Sequence, residues 1–113
     1  MSQTIKQYNK LVRDKIPAII EKNGAVAVTR ILSDEEYKDY LEKKLSEEIS
    51  ELSESRTDAE RLEELADVYE VLSALATAHG YTMQTVEAKA REKAEARGGF
   101  EDKILLVQTV ENA

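Results

Sequence analysis

Five carboxylates in two short segments are the residues of this chain best suited to chemistry. Glu47, Glu48 and Glu51 lie in KLSEEISEL, and Glu64 and Asp67 lie in EELADVY. Residues three or four positions apart share one face of a helix, so each segment presents its acids together. Two such helices facing each other would form a cage of oxygen ligands, the set that Mg²⁺ prefers and that also suits Mn²⁺. The pattern therefore indicates metal-assisted chemistry on phosphates.

A solvated helix face is the alternative explanation for acids at this spacing. Against it, Glu48 interrupts an apolar row formed by Leu41, Leu45 and Leu52, and a buried carboxylate is costly unless it is paired. Like charges at i+3 or i+4 also cost roughly 0.2–0.5 kcal/mol per pair on a bare helix, and a bound dication would reverse that sign. The single histidine, His79, lies far along the chain, so the ligand set of a di-iron bundle or a zinc site is absent.

Composition narrows the class of protein further. The 113 residues suit one domain, residues 1–113, and the net charge of −7 disfavours binding to a nucleic-acid backbone. A nucleotide could still bind if a metal ion supplied the positive charge. The chain has no cysteine, no apolar run of the ~20 residues that would span a membrane, and no secretion signal in MSQTIKQYNK. A cytoplasmic location is the expectation.

Capping residues in the sequence predict the helices that contain the two acidic segments. Ser33 with Glu36, and Thr57 with Glu60, have capping-box spacing and open two long helices, the first ending near residue 54 and the second at Gly80. A third helix is predicted over residues 82–97, before Gly98-Gly99. A short helix through KIPAIIEKN, capped by Asp14, precedes them.

Two β-branched segments, AVAVTRIL (25–32) and ILLVQTV (104–110), read as strands that pair with each other. The predicted fold is mainly α: three main helices, a short N-terminal helix and a small two-stranded sheet, in a chain that gains burial by oligomerising. Tyr37, Tyr40 and Tyr69 follow the apolar stripes and are predicted to be core or dimer contacts.

A phosphate ligand also requires cations. Lys89, Lys93 and Arg97 form a row at i, i+4 and i+8 on the third long helix. Such a row is either a phosphate-binding surface or a solvated face with exposed ion pairs. The spacing alone leaves both explanations open.

The acidic residues also carry a family resemblance. Glu47-Glu48-x-x-Glu51 followed by Glu64-x-x-Asp67 resembles the signature of MazG-type all-α nucleotide pyrophosphohydrolases. The opening string YNKLVRDKIP, residues 8–17, is similar to the start of the phosphoribosyl-ATP pyrophosphohydrolase-like branch of that superfamily. Together the two motifs extend the resemblance over most of the chain.

The resemblance implies a Mg²⁺-dependent enzyme, a homodimer or homotetramer, that hydrolyses a nucleoside triphosphate between the α and β phosphates. It implies Glu48, Glu51, Glu64 and Asp67 as metal ligands, and Glu47 as a further ligand or the group that orients the attacking water. It also implies that the N-terminal string is ordered near the site, which favours Lys10 and Arg13 as substrate contacts. Phosphoribosyl-ATP or a damaged nucleotide is an alternative substrate, and a non-catalytic helical interaction module is the alternative outside enzymes.

Overall fold

Four helices make up the regular structure of residues 2–111. A computed structural model describes residues 2–111. Its helices are α1 (Ile16–Lys22), α2 (Asp34–Glu54), α3 (Asp58–Ala78) and α4 (Met83–Arg97). The prediction of a mainly helical chain with three main helices and a short N-terminal one is confirmed. None of the helices in this part of the chain is long and apolar enough to cross a membrane.

Side-chain caps fix where the two central helices begin. The Ser33 hydroxyl accepts from the Glu36 backbone N–H at 3.2 Å, and the Glu36 carboxylate accepts from the Ser33 N–H at 3.2 Å. This completes the predicted capping box of α2. At α3 the Thr57 hydroxyl accepts from the Glu60 N–H at 3.1 Å, but the Glu60 carboxylate accepts from the Arg56 N–H instead. Both helices therefore begin where the sequence predicts. At α3 the Glu60 carboxylate binds the N–H of Arg56 rather than that of the N-cap residue Thr57.

The start of α1 and the end of α3 do not depend on side-chain caps. The predicted Asp14 cap of α1 is wrong: Lys15 occupies the N-cap position and makes no side-chain cap bond. Pro17 lies in the first turn of α1, where the missing N–H costs nothing. His79 is the C-cap of α3, and Gly80 follows with a φ of +84°, a left-handed conformation that favours glycine. The end of α3 at Gly80 therefore agrees with the prediction.

The core lies between α2 and α3. The two helices are joined by residues 55–57, a connection short enough to make them antiparallel neighbours. Leu41, at 2 % exposure, is buried with Val71 and Ala76. α4 contacts α3 and does not reach α2. The radius of gyration is 19.6 Å, against about 13 Å for a compact chain of this length, so most of the burial is confined to one helical hairpin.

The predicted two-stranded sheet is wrong for the described chain, in which residues 2–111 contain no strand. Residues 25–32 and 104–110 run without helix or sheet, and their apolar side chains are exposed apart from the half-buried Ala27 and Leu32, with Val28 at 94 %. β-branched residues favour an extended backbone, but a strand persists only when a partner satisfies its N–H and C=O groups. These two segments do not supply that partner to each other.

The outer face of α3 carries a second exposed apolar surface. Its members recur at helical spacing and are more than two-fifths exposed: Leu62, Leu65, Tyr69 and Leu72. We call these four residues the α3 apolar row. The apolar residues of α3 thus differ in burial, since Leu65 and Leu72 are exposed while Val71 is buried. Tyr69 is excluded from the core by its exposure and remains a predicted dimer contact.

Candidate functional site

The two acidic segments meet where the second half of α2 faces the first half of α3. Oxygen atoms of Glu47, Glu48 and Glu51 lie within 4.8 Å of one another, and so do oxygen atoms of Glu48, Glu64 and Asp67. We call these five residues the acidic site. Glu48 belongs to both groups, so the site consists of two adjoining oxygen clusters with one shared carboxylate. This is the juxtaposition that the spacing predicted.

Glu48 is the most buried member, with only 5 % of its surface exposed. One of its oxygens, Oε2, is buried without a hydrogen-bond donor from residues 2–111, and the same is true of Glu64 Oε2. A buried carboxylate oxygen without a donor costs roughly 1–3 kcal/mol. The two oxygens belong to residues of one cluster on facing helices, and a positively charged ligand there would remove this cost.

The protonation equilibria of the site reflect this burial. Loss of solvent raises the pKa of Glu48, and the hydrogen-bonding contact and negative charge of Glu51 raise it further, while Lys44 opposes the shift. Loss of solvent also raises the pKa of Glu64; a hydrogen-bonding contact with Glu51 opposes this shift, and the charges of Asp67 and Glu48 add to it. A bound dication would oppose both shifts, because it favours the charged carboxylates.

Lys44 is a member of the site that the sequence analysis did not select. Its Nζ lies 3.4 Å from Glu47 Oε1 and 3.4 Å from Glu48 Oε1, and its side chain is only 17 % exposed. The signal was present in the sequence, since Lys44 precedes Glu47 and Glu48 by three and four positions on one helix. Lys44 therefore pairs with Glu47 and with one oxygen of Glu48, and it leaves Glu48 Oε2 without a partner among residues 2–111.

The N-terminal segment supplies two more cations. Lys10 Nζ lies 3.2 Å from Glu47 Oε1, and Arg13 Nη2 lies 2.7 Å from Asp67 Oδ1. The hydrogen bond to Asp67 raises the pKa of the Arg13 guanidinium. Both residues were expected beside the site, and the structure places both against its carboxylates.

The basic row of α4 is arranged differently. Lys89 pairs with Glu92 on the same helix at 3.2 Å. Among the described residues, no salt bridge joins Lys89, Lys93 or Arg97 to the acidic site. A single copy of the chain therefore does not bring this row into contact with the carboxylates.

The charges of the site are unbalanced in favour of a cation. Five carboxylates face three basic side chains, those of Lys10, Arg13 and Lys44. With every group ionised, the excess is two negative charges, which one divalent ion would neutralise. Oxygen-only ligands suit Mg²⁺ and Mn²⁺ rather than zinc. The donor set and the unpartnered oxygens thus fit a hard divalent cation.

A cleft of ≈ 200 Å³ opens beside the acidic site. It is lined by acidic and hydroxyl side chains: Glu51, Glu54, Ser55, Glu60 and Glu64. A bare phosphate group would be repelled from such walls. Any anionic ligand in this cleft therefore requires a metal ion or cations brought from elsewhere.

Comparison with known proteins supplies one partial match. The chain is 46 % identical over 54 residues to an uncharacterized protein of Mycolicibacterium smegmatis, an alignment covering 48 % of this chain and 55 % of that protein. The chain thus spans about half the length of this relative. No protein-family model matches the sequence, and no solved structure matches it.

Proposed function

We propose that the protein is a Mg²⁺-dependent nucleotide pyrophosphohydrolase, which cleaves a nucleoside triphosphate between the α and β phosphates and releases pyrophosphate. The observation that carries the proposal is the Glu48 carboxylate. It is buried at the junction of two oxygen clusters, with one oxygen unpartnered among residues 2–111. The resemblance of the two acidic motifs and of YNKLVRDKIP to the MazG-type superfamily supports the same class.

The resemblance suggests roles for the acids, and their positions support them. Glu48, Glu51, Glu64 and Asp67 would hold the metal, with Glu48 common to both clusters. When bound, Mg²⁺ neutralises phosphate oxygens and lowers the pKa of a coordinated water. Mn²⁺ would be accepted by the same ligands.

Glu47 is suited to orienting the attacking water. Its Oε1 contacts the ammonium group of Lys44, whose side chain is largely buried, and this contact fixes the direction of the carboxylate. A positioned carboxylate can accept the proton of a water molecule as it attacks phosphorus. Glu47 as a further metal ligand is the other role consistent with its place in the first cluster.

The substrate phosphates would be bound by basic side chains. Lys10 and Arg13 lie beside the site, and a guanidinium can bind a phosphate through two hydrogen bonds. The α4 row of Lys89, Lys93 and Arg97 would contribute from a second copy of the chain, since within one copy it does not contact the site.

Self-association follows from a separate observation. The α3 apolar row and the two extended segments leave a large apolar surface exposed on a thin core, and such a surface is typical of a protein interface. We propose a homodimer or homotetramer in which these surfaces are covered. The same observation favours a helical interaction module as the second candidate function. Light scattering after gel filtration measures the mass, and a monomer at micromolar concentration would contradict the oligomer.

The activity is tested with a panel of nucleotides in the presence of Mg²⁺. The panel includes canonical triphosphates, oxidised or deaminated triphosphates and phosphoribosyl-ATP, and the assay measures pyrophosphate and single phosphate separately. Asp67→Asn should lower turnover by at least about 100-fold, because metal affinity and position both depend on it. Glu63→Gln, on the same helix and exposed, is the matched control.

The two candidate functions give different results in this panel. Release of single phosphates would contradict the proposed cleavage position, and full activity in Asp67→Asn would contradict the site. No turnover of any nucleotide, together with no rise in melting temperature on adding Mg²⁺, would leave the interaction module as the better description.

A further inference from the structure

We infer that residues 8–13 form a cationic strap which occupies the acidic site while no divalent ion is bound, and which leaves the carboxylates when a divalent ion binds. The inference rests on the proposed function in one respect, that the acidic site takes a divalent cation. It adds that Lys10 and Arg13 have two successive partners, the carboxylates first and the substrate phosphates afterwards.

The contacts of the strap are the first argument. Lys10 binds Glu47, which belongs to the first oxygen cluster and comes from α2. Arg13 binds Asp67, which belongs to the second cluster and comes from α3. Each cation thus engages one carboxylate of one cluster, and the two pairs together join the helices across the site. Internal cations placed in this way compete directly with a metal ion.

The exposure of the pairs is the second argument, because it makes them easy to break. The side chains of Lys10 and Arg13 are 42 % and 56 % exposed. Exposed pairs of this kind shift an equilibrium by at most about five-fold each. A dication that contacts several carboxylates at once replaces both. Lys44 is far more buried and contacts two carboxylates, so it stays in place.

The backbone of the segment is the third argument. Asn9, immediately before Lys10, has a φ of +47°, a left-handed conformation that asparagine tolerates better than most residues. Helix α1 begins at Ile16, whose N–H donates to the Arg13 carbonyl at 3.0 Å. Between these two points, residues 10–13 form no helix or strand, and Leu11 and Val12 are only half-buried. Release of the segment therefore breaks the two ion pairs and this partial packing, while α1 stays in place.

Metal binding by the full chain tests the inference without any enzyme assay. The free Mn²⁺ signal in electron paramagnetic resonance is titrated with wild-type protein, with Lys10→Gln/Arg13→Gln and with Arg30→Gln/Arg61→Gln. The third protein is a matched control, because Arg30 and Arg61 pair with acids outside the site, Glu36 and Asp58. The strap variant should bind Mn²⁺ about three- to ten-fold more tightly than wild type, and the control should stay within about two-fold.

The outcomes separate the inference from the proposed function. Equal or weaker Mn²⁺ binding by the strap variant, relative to the control, overturns the strap and leaves the metal site intact. Absence of Mn²⁺ binding in all three proteins overturns the proposed function itself. Circular dichroism at 222 nm verifies that both variants keep the helical content of wild type.

Proteolysis of the wild-type chain gives a second test that requires no variant. Endoproteinase Lys-C is applied with and without Mg²⁺, and mass spectrometry follows cleavage after Lys10 relative to cleavage after the exposed Lys103. Release of the strap should raise this ratio several-fold on adding Mg²⁺. A ratio that stays constant or falls overturns the inference.

Discussion

Replacing Glu48 by glutamine should stabilise the metal-free protein. The carboxylate is 5 % exposed, and its Oε2 has no donor within residues 2–111. Its other oxygen contacts Lys44, but Lys44 also contacts Glu47 and keeps that partner in the variant. The substitution therefore removes a buried, incompletely paired charge without leaving a new one. From the 1–3 kcal/mol cost of an unsatisfied buried group, less the lost contact to Lys44, we expect a gain of about 1 kcal/mol.

The gain in stability of Glu48→Gln over wild type should increase as pH rises. Burial raises the pKa of Glu48 above its ordinary value of 4.5. A raised pKa means that the folded state holds the proton more tightly, so wild-type stability is lost as pH rises from 4.5 through the folded pKa. Glutamine does not ionise, so the variant lacks this loss. The two proteins should differ least at pH 4 and most at pH 7.5.

Magnesium should reverse the order of stability. At a concentration 100-fold above its dissociation constant, a ligand of the folded state adds about 2.7 kcal/mol, and the variant loses the ligand shared by both clusters. The assay is urea and thermal unfolding, followed at 222 nm, in EDTA and in Mg²⁺. A change of 1 kcal/mol corresponds to about 4 °C in melting temperature for a chain of this size.

Two results would refute this reasoning. One is that Glu48→Gln is less stable than wild type in EDTA, which would show that the carboxylate is well satisfied. The other is that the variant keeps the full Mg²⁺-dependent gain, which would place the ion elsewhere. Glu42→Gln, an exposed position on the same helix, is the control and should change neither quantity by more than about 0.5 kcal/mol.

Three further predictions concern the fold. The ion pair with Arg30 lowers the pKa of Glu36 to about 2. Glu36 therefore stabilises α2 above pH 4.5, and this stability is lost as pH falls towards 2. In Glu36→Gln, the free energy of unfolding should depend less on pH in that window, as measured by circular dichroism. Leu41→Ala should cost about 2–5 kcal/mol in urea unfolding, because Leu41 is 2 % exposed, whereas the half-exposed Ile49→Ala should cost less than 1 kcal/mol. Leu65→Asp should dissociate the proposed oligomer while retaining helical content, and an unchanged mass in light scattering would contradict the role of the α3 apolar row.

Local signals in the sequence predicted the helices well. The caps at Ser33 and Thr57 and the exit at Gly80 depend on residues within one turn of the boundary, so the sequence contains the whole interaction. The prediction of two paired strands was wrong because strand pairing depends on contacts between segments that are distant in the sequence. The composition of residues 25–32 specifies an extended backbone and says nothing about what lies beside it.

The acidic site was predictable for a related reason. Its members repeat at helical spacing on two consecutive helices, so the sequence defines a common face, and the apolar row around Glu48 indicated its burial. Lys44 was not selected because lysine near glutamate is common on exposed helices, and the spacing does not reveal that this side chain is only 17 % exposed. The contact of Arg13 with Asp67 spans 54 residues, and the family-like string, rather than spacing, was the only signal for it.

The sequence separation between the residues of the acidic site and their cationic partners affects how fast the protein folds and unfolds. The five carboxylates belong to neighbouring helices, whereas Lys10 and Arg13 are 37 and 54 residues from their partners. Local contacts form early in folding and distant ones late, because closing a longer loop costs more entropy. The hairpin must therefore assemble five like charges before the N-terminal cations arrive. We expect Mg²⁺ to accelerate refolding in stopped-flow experiments, and Lys10→Gln/Arg13→Gln to accelerate unfolding while leaving the refolding rate nearly unchanged.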